Sequence, residues 1–175
     1  SNYKLPLDKI IMAACETLNI SGQEQQDLTA KLQEFFTLRV KNLLIEQGLR
    51  YDLVDAILAI EVIDKQDTLK RAKAIKEFAV SQEFVSTVQA FVRVANLTKN
   101  VAQAGVVQEE KLLEAAEIEL CKQFNQQKTA IEAAITEGEY LVALQVINKL
   151  VEPINYFFEK VMVMDKDEEI KNNRL

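Results

Sequence analysis

The sequence predicts an all-α protein, and three observations carry that prediction. Its four glycines, Gly22, Gly48, Gly105 and Gly138, fall between long segments whose apolar residues recur every three to four positions. That is the placement of helix punctuation. The hairpin dipeptides Asn-Gly and Asp-Gly are absent, and only two prolines interrupt the chain. With 175 residues, 49 % apolar and 27 % charged, the chain can bury a sizeable core.

The first helix is entered through Pro6 and carries Leu7, Ile10, Ile11, Ala14 and Leu18 on one stripe. Ser21-Gly-Gln-Glu24 has the pattern of a capping box, in which serine and glutamate satisfy first-turn amides reciprocally. It opens a long helix to about Gln47, with Leu28, Leu32, Phe35, Phe36, Val40, Leu43 and Leu44 inward and Gly48 as its stop. A short helix follows over 50–59, burying Leu53, Ala56, Ile57 and Ile60. Asp67 or Thr68 caps the next helix, to about Val80, on a stripe of Leu69, Ala72, Ile75 and Phe78 or Ala79. Another spans 83–96, with Phe84, Val88, Phe91 and Ala95 inward.

The pattern breaks around Gly105, within 99–107, and a polar, Glu-rich helix is expected over 108–137, ending at Gly138. Helix resumes at Glu139 through Leu141, Leu144, Ile147 and Leu150. Pro153 then forces a kink or a restart, because it lacks an amide donor and its ring crowds the previous turn. Phe157, Phe158, Val161, Met162 and Met164 cover more than half a helix circumference, so that segment should be helical and packed on several sides. Asp165 to Asp167 breaks it, and a last helix begins at Glu168, bringing Arg174 near the surface. Ser1-Asn2 reads as a cloning remnant, 3–100 as an N-terminal helical lobe and 101–175 as a C-terminal lobe with a truncated last helix. One continuous domain is the alternative.

The chain has no histidine. That removes imidazole acid–base chemistry, Ser-His-Asp and Cys-His pairs and every zinc site that needs imidazole. Cys15 and Cys121 read as buried reduced thiols, with a disulfide between them the alternative. Asp165-Lys-Asp167-Glu168-Glu169 lacks the glycine and the length of a calcium loop, and Asp165 with Glu168 fits a helix cap followed by first-turn acids. No metal site, catalytic residue or resident cofactor is expected. No apolar run reaches the ~20 residues of a membrane span, and nothing resembles a signal peptide.

The formal net charge of −6 argues mildly against nucleic acid, so any RNA binding must rest on a local basic face. Lys70, Lys73 and Lys76, with Arg71 beside them, form one candidate, though a merely solvated helix surface reads the same way. Arg93, Asn96 and Lys99 form another, able to touch phosphate and base edges together. Tyr51, Tyr140 and Tyr156 could stack on unpaired bases, or pack with wet hydroxyls. On these residues alone the chain is a helical binding domain of unspecified partner.

Three stretches go further. Phe157-Phe158 through Val161-Met162-Val163-Met164 to Asn173-Arg174-Leu175 resembles the C-terminal signature of the bacterial glycyl-tRNA synthetase β subunit. Arg50-Tyr51-Asp52-Leu-Val-Asp55-Ala56-Ile-Leu-Ala59 and Arg93-Val94-Ala95-Asn96 are similar to two more of its elements, in the same order and spacing. Val92 stands where the family often has Lys, and Lys171 where Arg is usual. The resemblance covers nearly everything after Ser21.

It implies an all-helical bundle related to the anticodon-binding domain of arginyl-tRNA synthetase. It also implies a non-catalytic role in recognising glycine tRNA within a cytoplasmic α2β2 enzyme, with ATP and Mg used on the α subunit and the rest of the β subunit as a neighbour. Arg93, Asn96, Lys99, Lys70, Lys73 and Arg174 are then the candidate tRNA contacts. The rival reading is a docking domain for the rest of the synthetase, without anticodon readout. An arginyl-tRNA synthetase C-terminal domain and a helical hydrolase stand further off.

Overall fold

The computed structural model describes residues 7–59, 65–99, 101 and 105–175. Nine α-helices and one short 3-10 turn make up the regular structure among them, with no strand, as the glycine placement predicts. The chain divides into two compact units, Ser1–Glu77 and Phe78–Leu175. The helix after Glu83 packs with the second unit.

The first unit holds α1 (Leu7–Thr17), α2 (Gly22–Glu46), α3 (Tyr51–Leu58) and most of α4 (Lys65–Phe78). α1 and α2 both stop in the same hydrogen-bonded motif. Asn19 and Gly48 take positive φ, 54° and 80°, and the next amide reaches back five residues, Ile20 to Cys15 and Leu49 to Leu44. Lys76 of α4 donates to the Gln47 carbonyl at 2.6 Å, which completes the cap on α2. The core joins Val40, Leu44 and Leu49 to Val54 and Ile57 of α3 and Ala72 of α4.

Several expected stripes are displaced. Only Val40 and Leu44 of α2 are buried, while Phe35 and Phe36 are 50 % and 41 % exposed. In α3, Val54 is buried and Ala56 is exposed, because the larger side chain takes the core position. Ser21 does stand at the N-cap of α2, but its side chain makes no cap hydrogen bond. Pro6, Ile60 and the side chain of Leu7 lie outside the described residues.

The second unit holds α5 (Phe84–Thr98), α6 (Ala115–Glu137), α7 (Tyr140–Asn148), α8 (Val151–Lys160) and α9 (Glu168–Arg174). Residues 108–114, expected to be helical, hold only the 3-10 turn Glu109–Lys111, and α6 begins at Ala115. α6 ends at Gly138 with φ 74°, where Glu139 donates to Ala134. Pro153 produces a restart: α7 closes before it, and the proline sits in the first turn of α8, where a missing amide costs nothing. Ala90 of α5 packs with Leu150, Val151 and Ile154, flanked by Phe91, Val94, Leu120, Ile131 and Phe158. In α5 the buried pair is Thr87 and Ala90, and the expected Val88 and Ala95 face solvent. Thr87 donates to Asn148 at 2.8 Å, which ties α5 to the end of α7.

The four consecutive apolar residues 161–164 are not helical: the chain is extended at Val161 and bends at Val163 and Met164, which corrects the helical expectation. α8 ends at Lys160, and Val161 has φ −109° and ψ 126°. Side chains of an extended chain alternate. Val161 and Val163 are therefore 6 % and 7 % exposed, and Met162 and Met164 are 76 % and 62 % exposed. Two β-branched residues at a spacing of two suit that backbone better than a helix.

Candidate nucleic-acid interface

The expected site residues separate into three environments. Lys70 and Lys73 are exposed on α4, in the first unit, and neither makes an ion pair among the described residues. They do not form a row with Lys76 and Arg71. Residues three apart on a helix step about 60° around its axis, so Lys70 and Lys76 diverge by about 120°. Lys76 is committed to the α2 cap, and Arg71 pairs with Asp67 at 2.7 Å. Among the described residues of that helix, Lys70 and Lys73 are the exposed cations without an ion pair.

Arg93, Asn96 and Lys99 are exposed at the end of α5, in the second unit, and wind in the same manner. Arg93 flanks the buried face and reaches across to α8. Its guanidinium carbon lies 4.3 Å from the centroid of the Phe158 ring, and its Nη1 donates to Asn155 Oδ1 at 3.2 Å. Phe158 in turn meets Phe157 edge to face at 5.6 Å and packs in both halves of the core. The cation thus lies over a supported ring. Asn155 and Phe158 are contributors that the sequence pattern did not single out as contacts. The i, i+3 spacing within one helix gives no hint of a partner 62 residues away. Of the tyrosines, Tyr51 and Tyr156 are 66 % and 40 % exposed.

Arg174 was expected near the surface and is not there. Its side chain is 6 % exposed, its Nε donates to Glu117 Oε1 at 2.6 Å, and its Nη1 donates to Asp165 Oδ2 at 2.8 Å and to the Met162 carbonyl at 3.0 Å. Glu117, 1 % exposed, also accepts from the amides of Leu113 at 2.9 Å and Glu114 at 2.6 Å, two donors that the start of α6 leaves unpaired. Burial alone would push the Glu117 carboxyl up. Arg174 and the two amides outweigh it and hold the group below the ordinary carboxylate range. Asp165 is held low by the amide of Asp167, opposed by partial desolvation, with Arg174 adding to the lowering.

Asn173 completes the latch by bonding both backbone groups of Gln108, accepting at 2.8 Å and donating at 3.1 Å. α9 itself is capped by Asp167, whose carboxylate accepts from the Glu169 and Ile170 amides; Asp165 had been expected in that role. The 161–175 run therefore closes the second unit by strand-like packing, a buried guanidinium and a side-chain clamp.

Between α5, α6 and α8 lies a mainly apolar cleft of about 580 Å³, lined among others by Val94, Leu97, Leu120, Phe124, Ile154 and Leu175. Cys121 faces it as a free thiol and accepts from Asn125 at 3.6 Å; Cys15 is free and buried. Among the described residues there is no group of three or more acidic or sulfur ligands that could hold a metal ion, and no helix is long and apolar enough to cross a membrane.

Residues 87–175 match the DALR anticodon binding domain family. The chain belongs to that family. The matched DALR residues take in all of α6 to α9 and most of α5, with Arg93, Phe158 and the Arg174 latch inside. Over nearly its whole length the chain is also similar to glycine–tRNA ligase β subunits. It is 36 % identical over 152 residues to that of Clostridioides difficile (strain 630), covering 87 % of this chain and 22 % of the relative. It is 37 % identical over 150 residues to that of Syntrophotalea carbinolica, covering 85 % and 22 %. With that of Desulfitobacterium hafniense it shares 35 % identity over 178 residues, covering 100 % and 26 %. The chain spans about a quarter of the length of these curated relatives.

Proposed function

We propose that this chain is a non-catalytic tRNA-recognition module, the anticodon-binding part of a glycine–tRNA ligase β subunit. The observation that supports this most is the coincidence of the matched residues, 87–175, with the compact second unit, Phe78–Leu175. In this reading the parent enzyme joins glycine to its tRNA in the cytoplasm. ATP and Mg are used on the α subunit of an α2β2 assembly, and the β subunit supplies recognition. Arg93, Asn96 and Lys99 of the second unit meet the RNA, and Lys70 and Lys73 of the first add phosphate contacts. Cations position the backbone while unstacked loop bases are read by side-chain hydrogen bonds and stacking.

A second reading, docking onto the rest of the synthetase, is favoured for the first unit by its exposed apolar residues. Met12 and Leu18 around α1, and Phe35, Phe36 and Leu38 on α2, are all more than 40 % exposed. Binding of the purified chain to a glycine-tRNA anticodon stem-loop, at two salt concentrations and beside a loop with swapped anticodon bases, tests the first reading. Salt-sensitive binding that weakens with the swap is expected. No binding at low salt would leave docking in front.

A further inference from the structure

We propose that Arg93, clamped between Phe158 and Asn155, is the stacking platform for one unpaired RNA base. This rests on the tRNA reading above and names the subsite within it.

The five arginines are used differently. Arg50, Arg71 and Arg174 face carboxylates, and Arg39 lies 5.3 Å from the Phe35 centroid within one helix. Arg93 alone joins two helices through an aromatic ring and an amide, and it makes no ion pair among the described residues. The ring lies against the guanidinium and the bond to Asn155 fixes its rotation. One face of a planar cation is thereby occupied. Arg93 is exposed, so its other face is open to a flat partner, and an unstacked base is such a partner. Phe158 is anchored in the core on its far side, so the platform is rigid before anything binds.

The hydrogen-bonding edge is also specified. A guanidinium only donates, so Asn155 must turn its oxygen toward Arg93, which leaves its amide nitrogen pointing away with two donors. The two donors of that amide nitrogen, at the rim of the stack, suit a base with two neighbouring acceptors on its edge. Guanine offers O6 and N7, and cytosine offers O2 and N3. Adenine, which sets an amino group beside N7, fits less well. The site therefore takes one unpaired guanine or cytosine.

Arg93→Lys separates stacking from charge, because lysine keeps the cation and loses the plane. The full chain, the R93K variant and the Asn155→Ala variant are titrated against the glycine-tRNA anticodon stem-loop and against a fully paired duplex of the same stem. R93K should weaken stem-loop binding by roughly five- to hundredfold while leaving duplex affinity and the salt slope unchanged. Asn155→Ala should reduce discrimination against adenine at one loop position. Equal losses on loop and duplex would make Arg93 a phosphate contact and overturn the proposal. So would unchanged affinity in R93K, the result expected if the partner were a protein carboxylate. If the unaltered chain binds neither RNA at low salt, the tRNA reading fails and this subsite with it. Should R93K melt early, Asn155→Ala, on an exposed side chain, decides the matter alone.

Discussion

Arg174 and Arg93 lie in the same unit and were expected to do the same work, yet their surroundings differ in kind. Around Arg174 two carboxylates and a carbonyl consume the charge out of water. Around Arg93 a ring and an amide consume the geometry and leave the charge unspent. The contrast teaches that the partner type, more than the presence of a cation, decides whether an arginine's charge is already matched within the fold. A buried guanidinium facing carboxylates is needed for the fold itself, and truncating either side strands a charge.

The largest test of that contrast is Arg174→Met. Stranding Glu117 without a counter-ion should destabilise the second unit by about 3–5 kcal/mol, seen as an early thermal transition. If melting does not move, the latch is not structural.

Acid should undo the same latch next. The folded pKa values of Glu117 and Asp165 lie below their unfolded values, so their contribution is present above the unfolded range, about 4, and is lost as pH falls through the folded values. A pH series of melting temperatures should therefore drop below about pH 4, and a Glu117→Gln variant should start lower and fall less steeply. Parallel curves would remove Glu117 from the acid response.

On the other side of the comparison, Arg93→Lys should cost the fold no more than about 1 kcal/mol, the scale of an exposed cation–π contact. A loss several times larger in chemical denaturation would place Arg93 with Arg174. The smallest effect on stability, within about 0.5 kcal/mol, is expected from Lys70→Glu with Lys73→Glu, since both are exposed and neither makes an ion pair among the described residues. That pair should instead weaken tRNA binding and flatten its salt dependence; unchanged affinity at low salt would take α4 out of the interface.

What was legible in the sequence was whatever a local rule governs. Gly48 and Gly138 mark helix ends because each takes a positive φ that most side chains resist, and Pro153 marks a restart because it has no amide to give. The run 161–164 was misread because four apolar residues in a row fit a buried helix or an extended segment equally well. Stripes in α3 and α5 slipped where alanine and a small polar residue compete with valine for the inward positions. The Ser21 box had the right letters and did not form. Glu117 does the comparable work at α6, and its decisive partner is 57 residues along the chain, beyond any local pattern. Of the expected site residues, Arg93 and Arg174 could be named in advance, but the contacts that distinguish them could not.

The Glu117–Arg174 pair also imposes an order of events during synthesis. Glu117 emerges 57 residues ahead of the guanidinium that neutralises it. At about 5–20 residues per second, the ribosome needs roughly 3–11 s to supply that partner. Until then the first turn of α6 must keep its carboxylate in water. Sealing of the second unit therefore waits for Arg174, and a ribosome that stalls near residue 170 would hold a bundle with its carboxylate still unmatched.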